Sequence, residues 1–429
     1  FGEVDARGHQ VDQVAGLAFE FATTVDAIGP VRDQRRGDAT FVHKVLVESE
    51  RRVARVRPFD AARRVGVGRP TRYAPSDPHR ARVAGERLTV SQKPRIADLV
   101  SVIIPVRNGE ATIARCLEAV FASNYEHFEV IVVDDGSDDR SAAIIQDFPC
   151  ALVRLPRHFG VSRARNIGAL HSHGDILFFT DADCLLNEDT LARAVATLGT
   201  AGREVVLGGT YTMEPADDRF FSAFQSVFVN HDESRVRDNP DYIAAHAMVL
   251  YADTFENSGG FVEDFLPMLE DVDFSHRLRR TGYRLIMDPG IQVRHLFDYS
   301  LLGSVSNGFR KSKYWTIYSI HNRDLLADSG TASHALKLDV AALFGGILAA
   351  LIILRTGNAW FSVIIALLMA LNITVNRDLL RAFYRARGMA FAFAAAAYYL
   401  LVYPRVVGAG GLAGVLSYRR YAGLLEAAG

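Results

Sequence analysis

The sequence predicts an α/β domain on a mostly parallel sheet, followed by a group of apolar C-terminal helices. From Leu99 onward, short apolar runs alternate with amphipathic stretches, the pattern of strands joined by crossover helices. Acidic clusters close several of those runs, where ligands of such sheets bind, beyond the carboxyl ends of the strands. Past residue 336 the chain turns apolar, with uncharged runs at 340–354 and 359–375.

Composition narrows the class. Of 429 residues, 49% are hydrophobic and 23% charged, which fits a folded protein. Lys+Arg is 48 and Asp+Glu 49, for a net charge of -1, so no global basic field draws the chain to nucleic acid. Cys116, Cys150 and Cys184 are too few and too scattered for a disulfide framework or a zinc site, and suit a reducing compartment. Residues 1–95 show no sustained period and carry two lysines, Lys44 and Lys93, among many arginines. They are expected to be irregular or disordered, and dispensable. The first methionine is Met213, which leaves open whether 1–95 belongs to the native chain.

The α/β domain is expected over 96–325. Residues 99–105 read as a buried strand that ends in the turn Arg107-Asn108-Gly109. Residues 110–123 place Ile113, Leu117, Val120 and Phe121 on one helical face. A strand at 129–133 ends in Asp134-Asp135-Gly136-Ser137 and leads to a helix at 141–147. A strand at 151–155, a helix at 161–172 and a strand at 176–180 ending in Asp181-Ala182-Asp183 follow, then a helix at 188–198 and a strand at 205–210. After Thr210 the rhythm loosens. A strand at 244–251, the turn Gly259-Gly260-Phe261, a helix at 270–280 led by acids and trailed by bases, and a strand at 284–287 remain legible.

The 336–416 region reads as membrane-embedded rather than as buried core, because three apolar runs follow one another with basic breaks. Spans are expected near 338–354 and 359–375, each a little short of the ~20 residues that cross a bilayer upright, joined by a tight turn at Arg355-Thr356-Gly357-Asn358. The third run, 389–416, is a further span, a re-entrant hairpin or an interfacial helix, bent or broken at Pro404. Tyr398, Tyr399 and Tyr403 suit the headgroup level. Arg377, Arg381, Arg385 and Arg387 outnumber Arg355, which predicts a multi-pass protein of the cell membrane with the 377–387 segment and the large domain on the cytoplasmic face.

Four clusters carry chemistry. At the end of an apolar strand, Asp181 and Asp183 can converge on one hard cation, and Mg²⁺ or Mn²⁺ favours one or two carboxylates plus substrate phosphates. An acid of Asp134-Asp135-Gly136-Ser137 can accept from a base or ribose, while Ser137 or Asp138 can cap the next helix. Ser162-Arg163-Ala164-Arg165-Asn166 opens a helix, and Arg suits phosphate recognition. Glu270-Asp271 starts a helix, where a carboxylate stays ionised and can act as a general base.

Together these residues resemble the family 2 glycosyltransferases, whose catalytic domain has the GT-A fold. The resemblance runs from Val100-Ser101-Val102-Ile103-Ile104-Pro105 through Asn108, Glu110, Val132-Val133-Asp134-Asp135-Gly136-Ser137, the Gly160–Gly168 segment and Asp181-Ala182-Asp183 to Gly259-Gly260-Phe261 and Glu270-Asp271-Val272-Asp273. It covers roughly residues 99–300, and five patterns in order are specific. It implies an inverting, membrane-anchored hexosyltransferase. Pro105, Asn108, Glu110 and Asp135 would line the base and ribose pocket, with Arg107 where many relatives carry an aromatic. Arg165 would approach the nucleotide. Asp181 and Asp183 would hold ribose and a Mg²⁺ or Mn²⁺ ion, joined by His295. Asp271 would be the base that activates the acceptor hydroxyl, and Glu270 would orient the acceptor. The implied partners are a nucleotide-sugar donor, a lipid-linked or membrane-proximal glycan acceptor and membrane lipids. Residues Phe309 to Trp315 only partly match the Q-x-x-R-W element of processive synthases, which ranks a polysaccharide synthase second. A catalytically silent membrane scaffold is disfavoured by the retained Asp181, Asp183 and Asp271. A sugar nucleotidyltransferase would need a G-G-x-G-T-R loop after the first strand, where none occurs.

Overall fold

The computed structural model describes residues 95–428, so the expectation for 1–95 lies, but for Arg95, outside the described residues. Those described residues form one compact unit. The strands are β1 (Ile96–Val106), β2 (Phe128–Asp134), β3 (Ala151–Arg154), β4 (Gly174–Phe179), β5 (Cys184–Leu186), β6 (Val205–Tyr211), β7 (Met248–Tyr251) and β8 (Arg284–His295). They form a single sheet in the order β3-β2-β1-β4-β7-β6-β8-β5.

Helices cover both faces, which is why the strands read as continuous apolar runs. Along β1, Val102, Ile104 and Val106 enter one cluster and Ile103 the other; along β4, Ile176 and Phe178 alternate with Leu177 and Phe179 in the same way. The domain helices are α1 (Ile113–Phe121), α2 (Ser141–Ile145), α3 (Val161–His171), α4 (Thr190–Ala201), α5 (Phe220–Glu233), α6 (Ala252–Asn257) and α7 (Glu270–Arg280). Helix α3 lies so close to β1 that a Cβ on Gly168 would stand 2.4 Å from Ile103 Cγ2. Gly168→Ala should therefore cost about 1–3 kcal/mol through overpacking, read as a lower denaturation midpoint; an unchanged midpoint would mean that the helix can shift freely.

The purely alternating reading fails in the second half of the domain. β1 pairs in parallel with β2 and β4, and β6 with β8, but β7 runs antiparallel to both β4 and β6, and β5 antiparallel to β8. Helix α5 escaped the sequence reading because it is buried nearly all round, so it has no polar face to set a period. The strand foreseen at 284–287 continues to His295, through a Pro289-Gly290 step that masked its length. The helix foreseen at 270–280 is α7.

Further segments follow: α8 (Leu301–Asn322), α9 (His334–Thr356), α10 (Phe361–Val375), α11 (Arg377–Ala397), a π-helical turn at Tyr398–Val402 and α12 (Tyr403–Ala428). By length and composition, His334–Thr356 and the stretch Arg377–Gly423 can each cross a membrane, while α10 is shorter. The α9–α10 hairpin exposes apolar residues on all sides, including Leu351, Leu354, Trp360 and Leu367, and its base is pinned where Asn376 Nδ2 donates to the buried Asp339 at 2.8 Å.

Pro404 does not break the last helix. The chain opens into the π-helical turn just before it, which accommodates the missing N–H and the bulky ring. The kink falls instead at Arg387 and Gly388, the latter at φ 77°. Helix α12 lies along α8, where a Cβ on Gly410 would sit 2.6 Å from the Phe309 carbonyl oxygen and one on Gly414 2.6 Å from that of Lys313. Small residues thus let the two backbones approach closely. The first half of α11 packs on α5 through Phe383 against Phe224, ring centroids 5.5 Å apart, and Arg387 pairs with Glu214 at 3.2 Å. The basic 377–387 segment therefore rests on the α/β domain itself.

Candidate active site

The carboxyl ends of β1 and β4 and the end of β8 converge on a cavity of about 370 Å³. Pro105, Arg107, Asn108, Asp181, Asp183 and His295 line it. Asn108 takes a left-handed backbone (φ 52°), which Asn tolerates better than most side chains. Its N–H donates to Ser137 Oγ at 2.9 Å and its Oδ1 accepts from the Asp138 N–H at 3.0 Å, so the loops after β1 and β2 are stitched together.

Glu110, Asp135 and Arg165 do not line this cavity. Glu110 is exposed and pairs with Arg140 at 3.3 Å. Asp135 is buried and accepts from the Phe159 and Gly160 N–H groups at 2.7 and 2.9 Å, with His158 Nδ1 at 2.7 Å. It shapes the loop that enters α3. Arg165, 3% exposed, spans two carboxylates: it donates to Asp181 Oδ1 at 2.7 Å and to Glu270 Oε1.

Burial opposes ionisation of Asp181, but Arg165 overrides it and holds that carboxyl below its usual range. Asp183 has no such partner. Burial and the charge of Asp181 push it up to about 7. Burial lowers His295 to about 3, so its imidazole is neutral and can offer a lone pair. His295 Nε2 lies 3.4 Å from Asp183 Oδ1, and the nearby Cys184 sulfur belongs to the same cluster. Burial drives the Cys184 thiol well up, so it is no thiolate. Two carboxylates with one matching arginine, beside a neutral imidazole, fit a hard divalent cation; a soft metal would want the thiolate.

Two further acids, Glu270 and Asp271, stand at the start of α7. Leu269, before the helix, holds a left-handed backbone (φ 76°), a strained conformation of the kind found at functional sites, and it aims the first turn inward. Asp271 is fixed at both oxygens: Oδ2 accepts from the Ala245 N–H at 3.0 Å and Oδ1 from the Val272 N–H at 2.9 Å. Burial raises the Glu270 carboxyl, in spite of Arg165.

Sequence reasoning missed the wall behind His295. Phe297 stacks on it with centroids 3.8 Å apart, and Tyr211 meets its edge at 5.1 Å. His246 stacks on Tyr211 at 4.1 Å and faces Glu233, with Nε2 3.5 Å from Oε2. The 211–250 region gave no signal for Tyr211, Glu233 and His246, since their neighbours in space come from segments distant in sequence.

A mixed sheet of this order, with acids beyond β4 and at the start of α7, is an arrangement typical of the GT-A fold. Residues 101–256 match the model for Glycosyl transferase family 2. The chain is 31% identical over 193 residues to the glycosyltransferase AglE of Haloferax volcanii, covering 43% of this chain and 63% of that protein. It is 40% identical over 112 residues to an undecaprenyl-phosphate 4-deoxy-4-formamido-L-arabinose transferase of Pseudomonas paraeruginosa, covering 24% and 33%. Both matches span less than two thirds of the relative. Among solved structures, the mannosyltransferase PcManGT of Pyrobaculum calidifontis, in complex with GDP-Man and Mn²⁺, aligns over 77% of this chain and 88% of its own, at 20% identity and a TM-score of 0.46.

Proposed function

We propose that the protein is an inverting, metal-dependent glycosyltransferase that moves one sugar from a nucleotide-diphosphate donor to a lipid-linked or membrane-proximal saccharide. The observation that carries this reading is the Arg165 bridge: Asp181, on the donor side, and Glu270, beside the base, share one guanidinium. Donor and acceptor chemistry therefore meet at one point. The undecaprenyl-phosphate transferase among the relatives supports a lipid-linked acceptor.

In this reading the nucleotide occupies the cavity along Pro105, Arg107 and Asn108. Asp181, Asp183 and His295 would hold Mg²⁺ or Mn²⁺, which supplies positive charge against the leaving diphosphate. Asp271 takes the proton of the acceptor hydroxyl. The hydroxyl oxygen forms a bond to the anomeric carbon as the bond from that carbon to the diphosphate oxygen breaks, and the electron pair leaves with the nucleoside diphosphate. Attack opposite the leaving group inverts the configuration. The Ala245 N–H orients Asp271, and Glu270, held by Arg165, positions the acceptor. The test is calorimetric titration of the full chain in detergent with a panel of nucleotide sugars, with Mn²⁺ and with EDTA. One donor binding only with the metal is expected; no donor binding under either condition refutes the reading.

The same reading inserts the α9–α10 hairpin into the bilayer, with the domain on the cytoplasmic side. Carbonate-washed membranes should retain the full chain. Leu348→Arg with Leu367→Arg, at exposed sites near the middle of the two arms, should release it, since a charge near a span centre costs about 2.5–3.5 kcal/mol. Retention of the double variant would show that the hairpin is not the anchor.

A further inference from the structure

Helix α7 is docked along the chain between Asp241 and Ala245 by a ladder of polar rungs. Asp271 Oδ2 accepts from the Ala245 N–H at 3.0 Å, Ser275 Oγ accepts from the Ile243 N–H at 3.0 Å, and Arg279 Nη1 donates to Asp241 Oδ1 at 2.8 Å. The three side chains stand at i, i+4 and i+8, on one helical face. Their partners stand two residues apart. Tyr242 and Ala244 enter one apolar cluster while Ile243 and Ala245 enter another, the alternation of an extended chain. Four residues of helix rise about 6 Å, and two residues of extended chain span about 6.6 Å. The two repeats match, so every rung fixes the same register.

The far end of the ladder is itself tied down. Asp241 also accepts from Ser329 and lies 3.1 Å from His276 Nε2, and Arg279 gives a second bond to the Asp241 carbonyl at 3.2 Å. Burial opposes ionisation of Asp241, but His276, Ser329 and Arg279 override it and hold its carboxyl below the usual range. The middle rung is fully buried, and Ser275 Oγ donates back to the Ile243 carbonyl at 3.4 Å. The near end needs this support. Leu269 holds a left-handed backbone just before α7, a conformation that persists only where its surroundings over-determine it. Val272, Phe274 and Leu278 supply apolar contacts, but those are non-directional and do not set a register. The transfer step itself uses neither Ser275 nor Arg279, yet both lie on the line that places Asp271.

We propose that Ser275 and Arg279 are positioning residues of the transfer step, which hold α7 in register and so set Asp271 against the acceptor hydroxyl. This deepens the glycosyltransferase reading and rests on it.

The test uses the full chain in detergent. Hydrogen exchange is followed in the peptide that holds residues 242–247. Ser275→Ala, and Arg279→Glu, which sets like charges face to face at Asp241, should each speed exchange there severalfold. Arg279→Lys, which keeps the charge, should stay near the parent. The Arg279 side chain is 33% exposed, so its variants leave the core intact. Transfer is measured with UDP- and GDP-sugars, Mn²⁺ and a polyprenyl-phosphate-linked saccharide. Ser275→Ala and Arg279→Glu should each lower kcat about tenfold, since a misplacement of about 1 Å can cost ~10²-fold. The donor KM should stay as in the parent. Combined with Asp271→Asn, neither should lower the residual rate further, because residues that act through one group are not additive. A merely structural role would instead leave kcat and KM unsplit and cut the residual rate again. Unchanged exchange in both variants, an unchanged kcat, or a full further loss beside Asp271→Asn overturns the proposal. If exchange responds but the parent transfers no sugar from any of these donors, the transferase reading itself has failed, and the positioning role falls with it.

Discussion

Asp271→Asn should keep donor affinity and lose transfer, by about 10²–10⁴-fold, the usual contribution of a general base. The amide is close in shape to the carboxylate and cannot take a proton. Both Asp271 oxygens also accept backbone N–H bonds, from Ala245 and Val272. An asparagine must turn its NH₂ toward one of those donors, so the variant loses orientation as well as basicity. The donor cavity is lined by other residues, so the donor titration should be unmoved. A variant that transfers at the parent rate would reduce Asp271 to a helix-terminal acid that suits the dipole of α7.

Asp183→Ala should abolish metal-dependent donor binding without unfolding the domain. Removing a ligand should exceed the roughly 10–100-fold that removal of an outer-shell partner costs in metal affinity. Stability runs the other way. Asp183 is raised to about 7 by burial and by the charge of Asp181, so at pH 7 and above its ionised form is less favourable in the folded state than in the unfolded one. A carboxyl with a raised folded pKa weighs against the fold at pH values above its ordinary range, by an amount that solvent screening keeps small here because the Asp183 side chain is 41% exposed. The variant should melt no lower than the parent in the absence of metal. Calorimetry with donor and Mn²⁺, beside a melting curve, separates the two effects; retained affinity removes Asp183 from the metal site.

The first half of the fold was legible because β1, β2 and β4 are buried on both faces and read as unbroken apolar runs, each closed by a Gly or Asp turn. The acids at the ends of those strands followed from the same pattern. Two things were not legible. Helix α5 is buried all round and carries no amphipathic period, and the antiparallel insertion of β7 and β5 depends on neighbours distant in sequence. At the site, Arg165 was recognised as important from its place at the start of α3, but not its partners. Only the fold brings Asp181 and Glu270 to opposite ends of one guanidinium. The interplay of Pro404 with the π-helical turn was likewise invisible: local rules predict a break, and tight packing of α12 on α8 keeps the helix running.

The most direct measurement follows the product. The full chain, in membranes, is supplied with the donor that titration identifies and with a lipid-linked acceptor, and the new glycosidic bond is read by NMR. The account predicts one sugar added per acceptor, an anomeric configuration opposite to that of the donor, stoichiometric release of nucleoside diphosphate, and full arrest by EDTA and by Asp271→Asn. A product with the donor's own configuration, or transfer that continues in EDTA, would contradict it.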